Sequence, residues 1–181
     1  MQTVYVTLRD DGTLTNSVRF SSLPETVQND TTVNALWGYV ESRECFNGTR
    51  AARDWYVVQA MSDARVGREW RDWFGLTNKS SPQHVYGDHG VRVDCSFVSY
   101  SPLGPDRYEF KFDRWEVNDR GHTDPVRYVA SIRFRTGVYS TDPQRGWIEK
   151  VTFNAPGVQV IEYPNSKAVP EGVAHRETAA Q

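Results

Sequence analysis

Two histidines and an aspartate in one short loop are the residues best suited to chemistry. His84 and His89 flank the sequence VYGD, so together with Asp88 they offer two imidazoles and a carboxylate. Such groups bind zinc in proteins, but their spacing here matches no established zinc site. The sequence also contains no nucleophile elbow, phosphate loop or paired-cysteine motif. It therefore predicts no catalytic residue, no metal site and no cofactor.

The two cysteines fit neither a disulfide framework nor a zinc site. Cys45 falls in a helical pattern and Cys95 in a strand pattern. Two cysteines are too few for a framework of bridges, and their spacing differs from that of zinc ligands. We expect both to be buried free thiols, with a bridge between them as the alternative.

Three arginines could form a basic stripe on one strand. Arg127, Arg133 and Arg135 share one face of an alternating pattern. Nucleic-acid-binding domains usually carry an excess of positive charge, whereas this chain has a net charge of −2 and a pI near 6.1. In a sheet of mixed charge, such arginines usually pair with acids on the adjacent strand, here Glu109 and Asp113. We therefore expect no direct binding of nucleic acid.

A turn that contains both proline and glycine lies near the end of the chain. The segment VTFNAPGVQVIEYP, residues 151–164, places Asn154, Pro156 and Gly157 between two strand-like runs. Proline presets one backbone dihedral and lacks an amide donor, whereas glycine tolerates a positive φ. The pattern predicts a stiff hairpin turn with a partly unpaired edge, which would suit self-association.

Three helices are predicted within residues 31–75. In the first, apolar residues recur at helical spacing, and Asp30 or Thr31 can cap its first turn. The second helix covers residues 49–61. Its predicted buried face consists of Ala52, Trp55, Tyr56, Gln59 and Ala60.

The third helix, residues 63–74, has the clearest boundary signals. Ser62 or Asp63 can cap its first turn, and Gly75 follows its last turn. Its predicted apolar stripe consists of Val66, Trp70, Trp73 and Phe74.

Beyond residue 85 the apolar period drops from about 3.6 to 2, which predicts strands. The alternation indicates strands at 91–100, 107–117 and 126–138, followed by a hairpin of 147–153 and 158–163. The second strand changes parity part-way, and a β-bulge near Asp113 and Arg114 would explain this. The predicted core-facing residues of the second and third strands are Tyr108, Phe110, Phe112, Val126, Tyr128, Ala130, Ile132 and Phe134.

These inward positions argue against an enzyme. Acid–base catalysis in an apolar cavity needs a carboxylate or a histidine with a pKa shifted towards the working pH. The inward residues include neither, and Asp94 and Glu109 fall on the polar face of their strands. We therefore expect a small interior filled by aromatic side chains and without an ionisable pair.

Helices followed by a meander predict an α+β domain in which three helices cover the concave side of a curved four-stranded antiparallel sheet. This layout resembles the nuclear-transport-factor-two-like cone. We expect a single domain over 1–163, with an N-terminal extension at 1–30, helices at 31–75 and the sheet at 85–163. Residues 164–181 have no periodicity and few large apolar residues, which predicts a disordered tail.

Five segments in this order and spacing resemble one known family. They are YVESRECF (39–46), AMSDARVGREWRDWF (60–74), SPQHVYG (81–87), RYVASIRFRT (127–136) and VTFNAPGVQVIEY (151–163). They are similar to the periplasmic domain of the eighth component of VirB-type type IV secretion systems. The resemblance implies a bitopic assembly factor of the bacterial inner membrane, with one membrane-spanning helix upstream and a weakly dimeric periplasmic domain.

The resemblance also implies interaction residues. The family carries an Asn-Pro-x-Gly turn on its dimer and assembly surface, and Asn154 and Gly157 match it, with Pro156 one position later than the family proline. Tyr163 matches an aromatic residue near the partner-binding surface. The positions that match a self-associating face of the first helix include Thr31, Asn34 and Ala35.

Together these features predict a non-enzymatic scaffold that binds other secretion subunits and a second copy of itself. The chain contains no apolar run of about 18 residues that could span a bilayer, so the anchor would lie upstream. A small-molecule-binding or isomerase-like enzyme on the same cone is the alternative.

Overall fold

The computed structural model describes residues 23–138, 154, 156–164 and 169–170. The helices are α1 Glu25–Glu44, α2 Ala51–Met61, α3 Ala64–Phe74 and the short α4 Pro82–Val85. The strands are β1 Arg92–Gly104, β2 Arg107–Asn118, β3 Gly121–His122, β4 Val126–Arg135, β5 Gln159–Glu162 and β6 Val169–Pro170. They pair antiparallel in the order β1-β2-β4-β5, with β3 beside β2 and β6 beside β4. The predicted α+β class is confirmed, while the predicted strand at 147–153 lies outside the described residues.

Helix α1 begins earlier than predicted. Its first residue is Glu25, so Asp30 and Thr31 lie inside the helix and neither caps it. Pro24 occupies the N-cap position with φ fixed at −51°, and Glu25 places a negative charge near the positive end of the helix dipole. Part of the predicted N-terminal extension is therefore helical.

Helix α2 turns a different face to the core from the one predicted. Among the predicted residues, Gln59 is buried, but Ala52 and Tyr56 are exposed and Trp55 is half-buried. The buried positions are Asp54, Val57, Val58, Gln59 and Met61. The helix contacts α1, α3 and β5, so its compact valines fill the crowded side and the Trp55 and Tyr56 rings pack edge to face outside.

Helix α3 agrees with its sequence signals. The Asp63 carboxylate accepts a hydrogen bond of 2.8 Å from the amide of Val66, which is the predicted cap. Val66, Trp70 and Phe74 are buried, and Trp73 is half-buried.

Strands β2 and β4 form the centre of the sheet. Their register runs without interruption from the Arg107–Arg133 pair to the Arg114–Val126 pair. The predicted inward residues are buried except at the margins, where Tyr108 and Tyr128 are half-buried and Val126, the first residue of β4, is 48% exposed. The helices pack over this inward face, and a single apolar cluster contains residues of α1, α2, α3 and the strands.

The predicted bulge is in the wrong strand. Asp113 and Arg114 pair regularly with both neighbouring strands. The register shifts lie between Phe97 and Ser99 and between Pro102 and Gly104, both on β1. The parity of β2 does not change, because Arg114 continues the inward series of Phe110 and Phe112 and donates a hydrogen bond to the carbonyl of Glu44. Trp115 and Val117 are half-buried on the opposite face, which the sequence pattern could not distinguish from a bulge.

Two further expectations are corrected. Cys45 and Cys95 form a disulfide, with their Cα atoms 5.8 Å apart, and are not free thiols. Val169 and Pro170 lie in the segment predicted to be disordered, yet they pair with β4 as β6. In both cases a long-range contact that leaves no local sequence pattern decides the structure.

Candidate interaction surfaces

The proline–glycine turn has the backbone conformation that its sequence predicts. Gly157 adopts φ +60°, in the left-handed region that favours glycine. The Asn154 carbonyl accepts a 3.0 Å hydrogen bond from the Gly157 amide. The Asn154 side chain then accepts a 2.7 Å bond from the amide of Val158. Asparagine therefore closes the turn from both its backbone and its side chain.

At the described residues of the turn, two backbone carbonyls are paired within the chain. The carbonyls of Pro156 and Gly157 accept hydrogen bonds of 2.8 and 2.9 Å from the amides of Gly137 and Val138, just after β4. Pro156, Gly157 and Val158 are buried. The carbonyls of Pro156 and Gly157 are therefore both paired within the chain. Through them the turn holds the segment that follows β4.

Tyr163 lies in the interior and does not form part of the surface. Its side chain is only 3% exposed, and its hydroxyl donates a 2.6 Å hydrogen bond to Oε1 of Glu44 in α1. The Arg43 guanidinium lies 4.2 Å from the centre of the Tyr163 ring. Burial, together with the Glu44 carboxylate, raises the pKa of the Tyr163 phenol well above its usual value, although Arg43 opposes this shift. Tyr163 is therefore neutral and joins the end of β5 to the end of α1.

Arg43 is a buried charged residue that the sequence analysis missed. It is 1% exposed and donates a 3.1 Å hydrogen bond to the hydroxyl of Tyr39, which in turn bonds the Ser62 hydroxyl at 2.9 Å. Its guanidinium also lies 5.2 Å from the centre of the Trp70 ring. Arg43 continues the spacing of Leu36 on the apolar stripe of α1, which was the available signal. The interior thus holds an ionisable group where none was expected.

The predicted face of α1 is only partly exposed. Asn34 is exposed, Thr31 is half-buried, and Ala35 is fully buried in the core. The Thr31 hydroxyl donates a 2.6 Å bond to the carbonyl of Val27, one turn earlier. The exposed side of α1, which we call the α1 face, comprises Val27, Asp30, Thr31 and Asn34. Ala35 lies one turn after Thr31, at the edge of this face, and is buried in the core.

The three arginines of the predicted basic stripe bond to neighbouring side chains. Arg127 pairs with Asp113 at 2.6 Å, as expected. Arg133 pairs with Asp106 at 2.7 Å and Glu162 at 3.3 Å, neither of which was among the acids named from the sequence. Arg135 donates a 2.7 Å hydrogen bond to the side-chain oxygen of Gln159. Two of the three arginines therefore form ion pairs with acids, and the third donates a hydrogen bond to a side-chain amide.

A charged groove on the outside of the domain was not predicted. It has a volume of about 760 Å³ and lies between α3 and the β2, β4 and β5 strands. Arg65 crosses it and donates a 2.6 Å hydrogen bond to the carbonyl of Ile161, while Arg107 pairs with Glu162 at 2.9 Å. Its charged lining residues are Arg65, Glu69, Arg107, Arg133 and Glu162. The acids and arginines come from elements far apart in the sequence, so only the fold brings them together.

The histidine loop is organised by hydrogen bonds. Nδ1 of His84 lies 2.8 Å from the carboxylate of Asp88, and Nε2 lies 2.8 Å from the carbonyl of Leu76. The bond to Asp88 and the bond to Leu76 raise the pKa of His84. In the described part of the chain, no group of three or more histidine, cysteine or acidic side chains could hold a metal ion.

Comparison with known proteins places this chain in a family. The VirB8 protein family model matches residues 1–168. The chain belongs to the VirB8 family. VirB8 of Agrobacterium tumefaciens strain 15955 is 31% identical over 132 residues, which cover 72% of this chain and 56% of that protein. VirB8 of Agrobacterium fabrum C58 is 27% identical over 183 residues, covering 96% of this chain and 70% of that protein. This VirB8 chain therefore spans little more than half the length of the first of these relatives.

Solved structures share the fold of this VirB8 chain. The Agrobacterium tumefaciens VirB8 structure aligns with a TM-score of 0.67 at 21% identity, over 78% of this chain and 94% of that one. A TrwG component of a type IV secretion system from Bartonella birtlesii aligns with a TM-score of 0.65 at 18% identity, over 83% and 94%. The fold is the nuclear-transport-factor-two-like cone expected from the sequence. Among the described residues, none of the helices combines the length and the apolar character needed to cross a bilayer.

Proposed function

We propose that this chain is the periplasmic domain of a non-enzymatic scaffold in a type IV secretion system of the bacterial inner membrane. The match to the VirB8 family over residues 1–168 is the observation that carries the proposal. The proposed partners are other secretion subunits and a second copy of the chain. A membrane-spanning helix upstream of this domain would anchor the whole protein.

The α1 face is the proposed contact surface. Val27, Asp30 and Asn34 are exposed along it, and polar side chains outnumber apolar ones. On its other side α1 is buried through Leu36, Tyr39 and Val40. A polar surface of this size fits a weak and reversible dimer better than an obligate one.

In our proposal, the family-matched turn and Tyr163 do not contact the partner but stabilise the elements that carry the contact surface. The carbonyls of Pro156 and Gly157 hold the end of β4, and Tyr163 bonds Glu44 at the end of α1. Both are buried, so they would act by fixing the orientation of elements that carry exposed residues. Substituting them should affect assembly through stability.

The enzyme alternative has less support. An isomerase of this layout needs an acid or imidazole facing an apolar cavity. In the described core, aromatic and aliphatic side chains fill the layer between helices and sheet, and the buried Arg43 contacts Tyr39, Trp70 and Tyr163. The buried carboxylate, Asp54, lies on α2 beside Arg50 and Arg53. Asp54 lines a polar cleft of about 200 Å³ and pairs there with both arginines, whereas an isomerase of this layout needs its acid in an apolar cavity.

Sedimentation velocity over a range of concentrations tests the α1 face. We expect the unaltered chain to show a monomer–dimer equilibrium and Asn34→Arg to weaken it, because two copies would bring the new charges together at a two-fold contact. Ser80→Arg adds the same charge at another exposed neutral position and is the matched control. A purely monomeric chain, or equal association of all three proteins, would remove the α1 face from the proposal.

The same pair of substitutions in the full-length protein tests the scaffold role. We expect Asn34→Arg, but not Ser80→Arg, to reduce substrate transfer in a strain that lacks its own copy. Equal protein levels, checked by immunoblot, are required. Unimpaired transfer with Asn34→Arg would contradict a role for this face in assembly.

A further inference from the structure

The disulfide lies where the first helix meets the edge of the sheet. Cys45 is the C-cap of α1, and Cys95 lies in β1, the outermost strand of the β1-β2-β4-β5 order. Next to the disulfide, Phe46 and Val93 exchange two backbone hydrogen bonds of 2.9 and 2.7 Å. The disulfide therefore reinforces the point at which the chain leaves α1 and pairs with β1.

The disulfide is accessible from solvent. Cys45 and Cys95 are both partly exposed, and both line a cleft of about 200 Å³. The cleft is also lined by Glu41, Arg50 and Asp54, and Arg50 lies 3.4 Å from Glu41 and 3.5 Å from Asp54. An attacking thiolate thus has a route to the disulfide, and Arg50 offsets part of the negative charge of Glu41, Asp54 and Asp94 at the same cleft.

Other contacts hold the same region without the disulfide. Glu44 accepts the hydroxyl hydrogen bond of Tyr163, and its carbonyl accepts a 3.1 Å bond from Nε of Arg114. Together with the Phe46–Val93 pair, these bonds join the end of α1 to β1, β2 and the end of β5. Breaking the disulfide should therefore loosen this junction while leaving the domain folded.

We propose that Cys45 and Cys95 form a redox-active site in the folded domain, which a dithiol oxidoreductase can open and close. In the opening direction, a thiolate of the reductant attacks one sulfur, forms a mixed disulfide and releases the other cysteine as a thiolate, which takes a proton from water. The second thiol of the reductant then displaces the first cysteine. Two electrons and two protons pass to the cysteines, and the reductant leaves as a disulfide.

Opening the disulfide changes the stability of α1 on the sheet. The bond closes a chain segment with a sequence separation of 50 residues, and such a cross-link restricts the unfolded chain. We expect reduction to lower the Tm by about 5–15 °C. We also expect faster amide exchange at Phe46 and Val93 than in the oxidised protein, with little change in the β2–β4 ladder. This chemistry requires neither self-association nor a secretion partner.

Reduction kinetics of the purified oxidised chain test the inference, with dithiothreitol as the probe. If the disulfide is accessible in the folded state, its reduction rate should rise in proportion to dithiothreitol concentration. A rate that levels off at the rate of global unfolding would show that the bond opens only in the unfolded chain, and would overturn the proposal. Two free thiols in protein secreted to an oxidising compartment would overturn it as well.

Thermal melts and hydrogen exchange test the effect on α1. The matched control is the double variant Cys45→Ser and Cys95→Ser, whose Tm should equal that of the reduced chain and should not respond to dithiothreitol. If this variant fails to fold, the reduced unaltered chain gives the same comparison. An unchanged Tm on reduction, or an exchange increase spread evenly over helices and sheet, would overturn the proposed local effect.

Discussion

Tyr163 connects the last residues of the β5 region to the first helix through both its hydroxyl and its ring. The hydroxyl bonds Glu44, and the ring packs against Arg43 and lies 6.0 Å from the ring of Tyr39. A buried guanidinium is costly unless its environment compensates for the lost hydration. The aromatic faces and the Tyr39 hydroxyl provide that compensation, so Tyr163 matters to the fold as well as to the end of α1.

Replacing Tyr163 with phenylalanine should destabilise the domain by about 1–3 kcal/mol, because the half-buried Glu44 carboxylate loses the hydrogen bond from the Tyr163 hydroxyl. Urea denaturation measures this loss. Tyr56→Phe is the control, since Tyr56 is 45% exposed and surface changes usually stay within about 0.5 kcal/mol. Equal stability of the two variants would show that water satisfies Glu44 as well as Tyr163 does.

The turn at 154–157 acts as an element that joins the β5 region to the end of β4. Asn154 and Gly157 determine its backbone conformation. The carbonyls of Pro156 and Gly157 accept hydrogen bonds from the amides of Gly137 and Val138. Because these carbonyls are paired within the chain, an effect of the turn on assembly depends on how well it holds this part of the sheet.

Gly157→Ala should cost about 1–2 kcal/mol, because alanine at positive φ is strained. The free energy of unfolding, measured with urea, gives the cost. Gly104→Ala is the matched control, since nothing lies within 4 Å of a Cβ built there and its φ is not positive. If the free energy of self-association of the folded Gly157→Ala variant falls by more than its free energy of unfolding, the turn contributes to the contact itself.

Local signals predicted the elements whose causes are local. The cap of Asp63 and the stripe of Val66, Trp70 and Phe74 specified α3, because capping and helical periodicity act within a few residues. The inward parity of β2 and β4 could be read for the same reason. The buried face of α2 could not, because three neighbouring elements decide it. The Cys45–Cys95 bond could not either, since only the tertiary fold brings these residues together.

At the scale of the candidate site, residue types could be predicted from the sequence but their exposure could not. Gly157 was correctly expected at positive φ, and Asp113 was correctly expected to pair with an arginine of the stripe, which is Arg127. Tyr163 and Ala35 were expected near a contact surface, but both are buried. Resemblance to a family shows which positions of the chain match the family's interaction residues. Whether a side chain at such a position is exposed depends on the tertiary contacts of the individual protein.

Over the described part of the molecule, several exposed arginines pair with acids. Ion pairs involving Arg107, Arg127 and Arg133 lie at the surface, with side-chain exposures of 38–47% for the arginines. Such pairs contribute about 0–1 kcal/mol each to stability. Their larger effect is that the acids cancel the positive potential of the arginines, which binding to the phosphate backbone of a nucleic acid would require.

Binding to a fluorescently labelled DNA duplex tests this consequence by anisotropy at low salt. We expect no saturable binding by the unaltered chain. A variant with Asp106→Asn, Asp113→Asn and Glu162→Gln should gain weak binding that falls steeply with salt, because it removes the acids that pair with Arg127 and Arg133. Tight binding by the unaltered chain would show that the arginine pairs open for phosphate.

The two register shifts in β1 restrict which extended segments can pair with the outer side of this strand, where Val93 already pairs with Phe46. β1 is the terminal strand, and its irregularities at Val98 and Leu103 break the even spacing of amides and carbonyls along the strand. Pro102 also lacks an amide within the same stretch. An incoming extended segment therefore finds few matching hydrogen-bond positions, which protects a strand of 13 residues from edge-to-edge polymerisation. The contacts between copies proposed above would then form through side-chain surfaces while the sheets stay separate.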